Sequence, residues 1–374
     1  MRANVASDRD TVLASVLSLL RIDSPLFFGL SLLSAMGLLI LYSASGGDEE
    51  LMARQLTRLG LAFFVMFVMA QINPRTLKAW TPWVFVLGLA MLVYVLIGGD
   101  IGKGARRWLD FGFIRFQPSE IMKLAVPMMV AAYFADKPLP ARPGQLFIAA
   151  IIVVVPLLLI AKQPDLGTAL LVGSAGFFVL FLAGIQWRIL LSLAAAFPVL
   201  GAVAWKYLLH DYQRSRILTF LNPESDPLGS GYHIIQSKIA IGSGGLFGKG
   251  WLNGTQSQLE FLPERSTDFI FSVFGEEFGL LGAIVLILIY LFIVLRGLAI
   301  AMSAVDSYSR LLGGALSLTF FVYLFVNMGM VTGLLPVVGV PLPLVSYGGT
   351  SMVTLMAGFG MLMSIRSSRR MLAR

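Results

Sequence analysis

Hydrophobic positions in this chain form long, nearly unbroken runs, and polar positions collect in the stretches between them. Runs of about 20 apolar residues predict membrane-spanning helices, whereas membrane barrels show ten-residue segments of alternating hydrophobicity. The pattern therefore predicts an all-α polytopic membrane protein with about ten transmembrane helices. The predicted spans are 25–43, 57–73, 79–97, 117–135, 145–161, 166–185, 188–208, 269–295, 311–333 and 348–365.

Composition supports this class. Of 374 residues, 57% are hydrophobic and only 13% are charged, whereas soluble domains carry about 25% charged residues. The mean hydropathy is +0.83. The chain has no cysteine, which excludes disulfides, thiolate nucleophiles and cysteine metal ligands. Its two histidines, His210 and His233, share one long loop, where such a pair is more often incidental than a metal site.

The organisation along the chain predicts a single transmembrane domain, 1–374, with no soluble domain. Residues 1–24 carry an apolar stripe and are expected to be cytoplasmic or interfacial, with a frayed tail as the open alternative; no cleavable signal peptide is predicted. An even number of spans places both termini on one side. Short basic connections and the basic tail 366–374 assign that side to the cytoplasm.

Two long loops, 98–116 and 209–268, carry the basic residues that this topology leaves outside. The second, a large extracytoplasmic loop between helices 7 and 8, is glycine-rich yet keeps apolar stretches, which favours an ordered functional loop. An anionic substrate would explain the basic residues. The segment GSGGLFGKG is not a nucleotide phosphate loop, because Lys249 is followed by glycine and no strand precedes it.

Four even-numbered spans begin on the outer side with polar or turn-forming residues, namely QPSE at 117–120, QPD at 163–165, STD at 266–268 and SYGGT at 346–350. Helix N-termini favour anions because their first N–H groups are unpaired. Four such starts around one vestibule would suit an anionic headgroup. Ordinary helix capping is the alternative for each start taken singly.

Asp268 is the strongest catalytic candidate, as a general base at the start of the eighth span. The helix dipole favours its ionised form and partial burial opposes it, a balance that suits a proton acceptor. A helix cap is the alternative. Glu264 and Arg265 lie close in sequence and are expected to support it, while Glu276 and Glu277 are expected to pair with a neighbouring helix.

Further candidates lie in the fourth and sixth spans and in the first outer loop. Glu120 and Lys123 share a helix face, either as a structural ion pair or as substrate contacts. Asp165 is either a cap or a wall of the cavity. The candidates in the outer loop are Arg106, Arg107 and Trp108: paired guanidinium groups suit pyrophosphate oxygens, whereas the tryptophan could be an interfacial belt residue.

The stretches GARRWLDFGFIRFQPSEIMKLA, KQPDLGTAL, QSKIAIGSGGLFGKGWLNGTQSQLEFLPERSTDFIFSVFGEEFG and GLLPVVGVPLPLVSYGGTSM resemble the SEDS peptidoglycan polymerases. GTQSQLEFLPER is more similar to the elongation branch than to the division branch. Ser266 departs from the histidine of many relatives, which argues against a catalytic side chain there.

The resemblance implies an inverting peptidoglycan glycosyltransferase of the bacterial inner membrane. It would polymerise lipid II at the periplasmic face during cell elongation, forming β-1,4 glycosidic bonds and releasing undecaprenyl pyrophosphate. It also implies that Asp268 is the essential acid. The predicted substrate-binding residues are Arg106, Arg107, Trp108, Glu120, Lys123, Asp165, Glu264, Arg265 and Ser346.

The implied partners are a class B penicillin-binding protein transpeptidase, lipid II and membrane lipids, and no nucleic acid. A divalent cation, Mg²⁺ or Mn²⁺, could assist the leaving group, although no dedicated metal ligands are visible. Two alternatives stay open, a lipid II flippase that forms no bond and a membrane scaffold for the transpeptidase. The polar residues crowd the outer ends of spans, whereas transporters bind near the midplane.

Overall fold

The computed structural model describes residues 21–98, 100–102, 105–110, 115–208, 211–226, 229–259, 261–262 and 264–372. The predicted interfacial segment at the N-terminus therefore falls almost wholly outside the described residues, as does His210. The helices and strands, in chain order, are α1 Ser24–Ala44, α2 Glu49–Gln71, α3 Pro74–Gly98, β1 Asp100–Gly102, β2 Ala105–Asp110, β3 Arg115–Phe116, α4 Pro118–Phe134, α5 Pro143–Lys162, α6 Leu166–Leu182, α7 Trp187–Val203, α8 Asp211–Leu221, α9 Ser230–Ser243, α10 Thr255–Gln258, α11 Ile270–Met302, α12 Ser307–Val331 and α13 Thr350–Leu372.

Each of the ten predicted spans coincides with one of these helices, and the all-α polytopic class is confirmed. Seven described helices are long and apolar enough to cross a membrane, and α6 is a shorter apolar helix. Helix α13 continues through Leu372, so most of the segment 366–374 is helical, and its assignment as a basic cytoplasmic tail stays a prediction. Aspartates mark several helix starts: Asp23, Asp48 and Asp306 each accept a hydrogen bond from a backbone N–H in the first turn.

The helices enclose two main cores. One is formed chiefly by α1, α2, α11 and α13, and the other by α3 to α6 with the start of α12. α12 bridges them, since it packs against α11 on one side and α4 and α6 on the other. The three short antiparallel strands, in the order β1-β2-β3, lie in the loop before α4.

The described part of the large loop contains three α-helices, α8 to α10, and α9 packs against α11. α11 is interrupted at Gly279, whose φ of 63° is left-handed. The interrupted helix bonds are replaced by the glycine-rich segment 245–250. Lys249 and Gly250 donate backbone N–H groups to the carbonyls of residues 276 and 277, and the carbonyls of residues 245 and 246 accept from residues 280 and 281.

The two glutamates beside this interruption are buried. Glu277 accepts a hydrogen bond from Ser43 of α1, as expected for pairing with a neighbouring helix. That expectation is wrong for Glu276, which binds the loop instead. Its Oε1 accepts from Lys249 Nζ at 2.7 Å, from Thr255 Oγ1 at 3.0 Å and from the backbone N–H of Gln256 at 3.0 Å.

Candidate active site

The turn before α11 is joined to the long loop between α12 and α13, residues 332–349. Ser346 makes the central contact: its Oγ donates to the carbonyl of Thr267 at 2.6 Å and accepts from the backbone N–H of Leu342 at 2.8 Å. The N–H of Tyr347 donates to the carbonyl of Ser266 at 2.8 Å. Ser346 therefore binds the protein backbone, which gives it a scaffolding role in this structure.

Asp268 lies in this turn, partly exposed. Its backbone carbonyl accepts from Asn327 Nδ2 at 2.9 Å, and the same amide nitrogen donates to the carbonyl of Val340 at 2.8 Å. Gly339 faces the carboxylate, since a methyl group placed on it would lie 3.5 Å from Asp268 Oδ2. The cap position of α11 is Phe269, which makes no side-chain cap bond, and helix capping stays an alternative for Asp268.

The 332–349 loop also reaches the other polar helix starts. Ser351, just beyond it, lies 3.4 Å from Lys123 Nζ, and Lys123 forms a 2.7 Å ion pair with Glu120. At the start of α6, a methyl group on Gly167 would lie 2.7 Å from the Val338 carbonyl. The four helix starts that the sequence singled out therefore converge around one loop.

The remaining candidates on the predicted spans are the buried ion pair of Glu120 with Lys123 and Asp165 at the start of α6. Glu120 and Lys123 are 4% and 6% exposed, and Glu120 Oε2 has no hydrogen-bond partner within the described chain. Asp165 caps α6, because its Oδ1 accepts from the N–H of Thr168 at 3.2 Å, while its Oδ2 accepts from Gln117 Nε2 at 2.7 Å. Asp165 thus links the starts of α4 and α6.

The basic pair of the first outer loop lies on β2. Arg107 is half-buried, and its guanidinium donates to the backbone carbonyls of Gln163, at 3.1 Å from Nε, and Pro164. It therefore orients the start of α6 through protein contacts. Trp108 is half-buried. The backbone of Arg106 pairs with β1, and its side chain lies outside the described part of the structure.

The flank of the Asp268 turn is formed by Glu264, Arg265 and α9. Glu264 is exposed and accepts from Thr267 Oγ1 at 2.6 Å, and Arg265 is partly buried. His233 of α9 stacks on Phe269 with ring centroids 5.6 Å apart. Burial lowers the pKa of His233, although the carboxylates of Glu264 and Asp226 oppose this shift. A neutral imidazole at pH 7 follows.

Three residues of this region were not among the candidates predicted from the sequence. Asn327 is fully buried in α12, and a polar side chain in an apolar span was a signal for it. Arg216 of α8 donates to the carbonyl of Val337 at 3.2 Å. The Arg58 guanidinium lies 4.5 Å from the centre of the Tyr347 ring. Arg216 and Arg58 add positive charge around the loop, but their surroundings in the sequence carry no comparable signal.

The described residues contain no group of three or more His, Cys, Asp or Glu side chains that could hold a metal ion. These residues therefore supply no ligand set for a divalent cation, and no step is assigned to one. What the site offers is a partly exposed carboxylate, Asp268, on a turn held by hydrogen bonds from two other segments. Such a carboxylate can accept a proton from a bound hydroxyl group.

Comparison with known proteins places the chain in a family. The profile of the FtsW, RodA and SpoVE proteins, described as cell cycle proteins, matches residues 24–371. The chain belongs to this family. It is 54% identical over 340 residues to the peptidoglycan glycosyltransferase MrdB of Escherichia coli K12, covering 90% of this chain and 91% of MrdB.

Solved structures agree with this assignment. One of them is a peptidoglycan synthase complex, solved to explain how polymerization and crosslinking are coordinated. A chain of that complex matches this protein at a TM-score of 0.81 and 31% identity, and the match covers 93% of this chain and 98% of that one. The rod shape-determining protein RodA of Thermus thermophilus matches at a TM-score of 0.70 and 29% identity, covering 93% and 97%. The predicted resemblance to the elongation branch of the family is confirmed.

Proposed function

We propose that this membrane protein is a peptidoglycan glycosyltransferase that polymerises glycan strands from lipid II. Its 54% identity to a peptidoglycan glycosyltransferase supports the activity. The observation that carries the site assignment is the position of Asp268, partly exposed and facing Gly339 where the polar helix starts converge. We place this face toward the periplasm, because the short basic connections lie at the opposite ends of the helices.

In the proposed reaction, Asp268 accepts the proton of the acceptor sugar's 4-hydroxyl group as its oxygen attacks the donor's anomeric carbon. A new C–O bond forms on one face of the sugar while the bond to pyrophosphate breaks on the other, which inverts the carbon. The bonding electrons leave with undecaprenyl pyrophosphate. Arg58 and Arg216, which contact the loop, and Arg265, three residues before Asp268, supply positive charge toward the leaving group.

Arg106 and Trp108 stay predicted substrate contacts, whereas the role that we propose for Arg107 differs from the predicted one. Arg107 acts by holding the start of α6 and not by contacting pyrophosphate, since its guanidinium is bound to two carbonyls. Glu120, Lys123 and Asp165 form the deeper wall of the substrate cavity. A divalent cation brought by the pyrophosphate itself would need no ligand cage from the protein.

The structure of the peptidoglycan synthase complex supports a transpeptidase partner, which we propose to be a class B penicillin-binding protein. The flippase alternative fits less well, because the partly exposed carboxylate of Asp268 and the converging loop lie at one end of the bundle and not at its midplane.

The test is polymerisation of purified lipid II by wild-type protein and by Asp268→Asn, each reconstituted with its transpeptidase. We expect the variant to lose at least about 100-fold in rate, because an amide cannot accept the proton and general bases contribute about 10²–10⁴-fold. Asp48→Asn is the matched control. It makes the same change at an exposed cap on the same face, and asparagine caps a helix equally well.

Long glycan strands made by Asp268→Asn at the wild-type rate would disprove the base assignment. A wild-type complex that makes no strands from lipid II in detergent, where no transport is needed, would instead argue for the flippase.

A further inference from the structure

A second polar cavity lies at the opposite end of the helix bundle. It has a volume of about 450 Å³, within the range of about 300–1,000 Å³ typical of ligand pockets. It is bounded by the α2–α3 connection, the α11–α12 connection and the last part of α13. Its polar lining includes Asn73, Arg75, Lys78, Asp306, Ser309 and Ser368.

This cavity is separate from the candidate active site. Ser309, in the first turn of α12, lines it, whereas Asn327 of the same helix holds the Asp268 turn. The 18 residues between them span about 27 Å at 1.5 Å per residue, close to the ~30 Å hydrocarbon thickness. The cavity therefore lies at the level of the headgroups on the other face of the membrane.

Among the described residues that line the cavity, one arginine has no carboxylate partner. Lys78 is bound to Asp136, with Nζ at 2.8 and 2.9 Å from the two carboxylate oxygens. Asp306 caps α12, and its Oδ2 accepts from the N–H of Ser309 at 2.9 Å. Arg75 is exposed on the first turn of α3, and within the described residues its guanidinium has no carboxylate partner.

One further feature favours an oxygen-rich ligand at the N-terminus of α12, where the Asp306 carboxylate already compensates the helix dipole. Ser309 is 2% exposed and its Oγ has no hydrogen-bond partner among the described residues, although buried hydroxyl groups are usually paired. An oxygen-rich ligand in the cavity would supply the missing partner.

We propose that this cavity binds a phosphate group, presented by the headgroup of an anionic phospholipid. The guanidinium of Arg75 suits phosphate oxygens, and basic pockets between membrane helices bind such headgroups. The surface beside the cavity suits the acyl chains, since Val305 and Met302 are 62% and 74% exposed. A soluble phosphate compound would share the headgroup chemistry and is distinguished by the experiment.

The experiment is native mass spectrometry of the full-length protein in zwitterionic detergent, titrated with phosphatidylglycerol or with phosphatidylcholine of the same acyl chains. We expect wild type to retain one phosphatidylglycerol preferentially. Arg75→Ala and Ser309→Ala should weaken that retention, Arg75→Ala by about tenfold. Arg188→Ala is the matched control, because Arg188 is also exposed and is also the second residue of a helix at this end.

A second arm measures thermal stabilisation by inorganic phosphate against chloride at equal ionic strength. Stabilisation that requires Arg75, with no preference for phosphatidylglycerol, would keep the phosphate site and overturn the lipid source. The site would be overturned if wild type and Arg75→Ala retained phosphatidylglycerol equally and were also stabilised equally by inorganic phosphate. Equal weakening by Arg75→Ala and Arg188→Ala would show general surface charge, which also overturns it.

Discussion

Several polar side chains in this protein bind backbone carbonyls of distant segments. Asn327 binds two carbonyls, Arg107 binds two and Ser346 binds one. These carbonyls belong to turns and loops, where the backbone lacks helical partners. Single side chains therefore fix the irregular segments that carry the candidate active site.

Asn327→Ala tests this at the residue scale. The change removes both donated hydrogen bonds and leaves the carbonyls of Asp268 and Val340 without them, so the turn loses its fixed position. We expect kcat for lipid II polymerisation to fall about tenfold or more with KM little changed, because the substrate contacts remain and only the base is misplaced.

Asn327→Gln keeps the amide donor and should recover part of the activity. Ser317→Ala, in the same helix, removes a hydroxyl that binds only one turn back along α12 and serves as the control. A rise in KM at unchanged kcat would contradict a positioning role for Asn327.

At the element scale, α11 depends on a segment that is distant from it in the chain. The interruption at Gly279 leaves backbone groups that residues 245–250 satisfy, and Lys249 neutralises the buried Glu276. Within a membrane, unpaired backbone groups and charges are costly. The glycine-rich segment is therefore part of the helix structure, and Lys249 is the counter-ion of Glu276.

Lys249→Met should destabilise the protein by up to about 3–5 kcal/mol, because it leaves a buried carboxylate without its counter-ion. Lys249→Met combined with Glu276→Gln should be less destabilised, since glutamine carries no charge. Apparent unfolding temperature in detergent and the rate of proteolysis within 244–258 measure both effects. A double variant less stable than Lys249→Met alone would contradict this account.

At the scale of the whole molecule, early and late helices pack together. α13, the last helix, packs closely along α2, and the contact depends on Gly360. A methyl group on Gly360 would lie 2.3 Å from the Met66 carbonyl oxygen. Small residues allow membrane helices to approach in this way, and the contact places Arg58 of α2 beside Tyr347.

Gly360→Ala should separate α2 from α13, at a cost of about 1–3 kcal/mol for overpacking. Gly358→Ala is the matched control two residues away, because its new methyl group would meet Leu124 and Leu316 side chains at ordinary distances of 3.4 and 3.5 Å. Apparent unfolding temperatures of the two variants compare them directly. Equal stability would show that the helices can shift without cost.

The sequence alone determined the membrane class, the ten helical segments and the choice of Asp268. Apolar length and polar helix starts are local properties, so a single chain displays them directly. The motifs around Asp268 and Ser346 also carried the family resemblance. Helix ends were less well determined: α11 runs to Met302 and α13 through Leu372, beyond the apolar runs that set the predicted ends at 295 and 365.

The tertiary structure alone decided how these parts meet. It assigned Arg107 to two carbonyls, Glu276 to a loop lysine and Asn327 to the Asp268 turn, and it formed the cavity beside Arg75. In each case the partners are distant in sequence, Asn327 and Asp268 by 59 residues. Local patterns report the cost of burying a polar group, but the identity of its partner depends on how the helices pack.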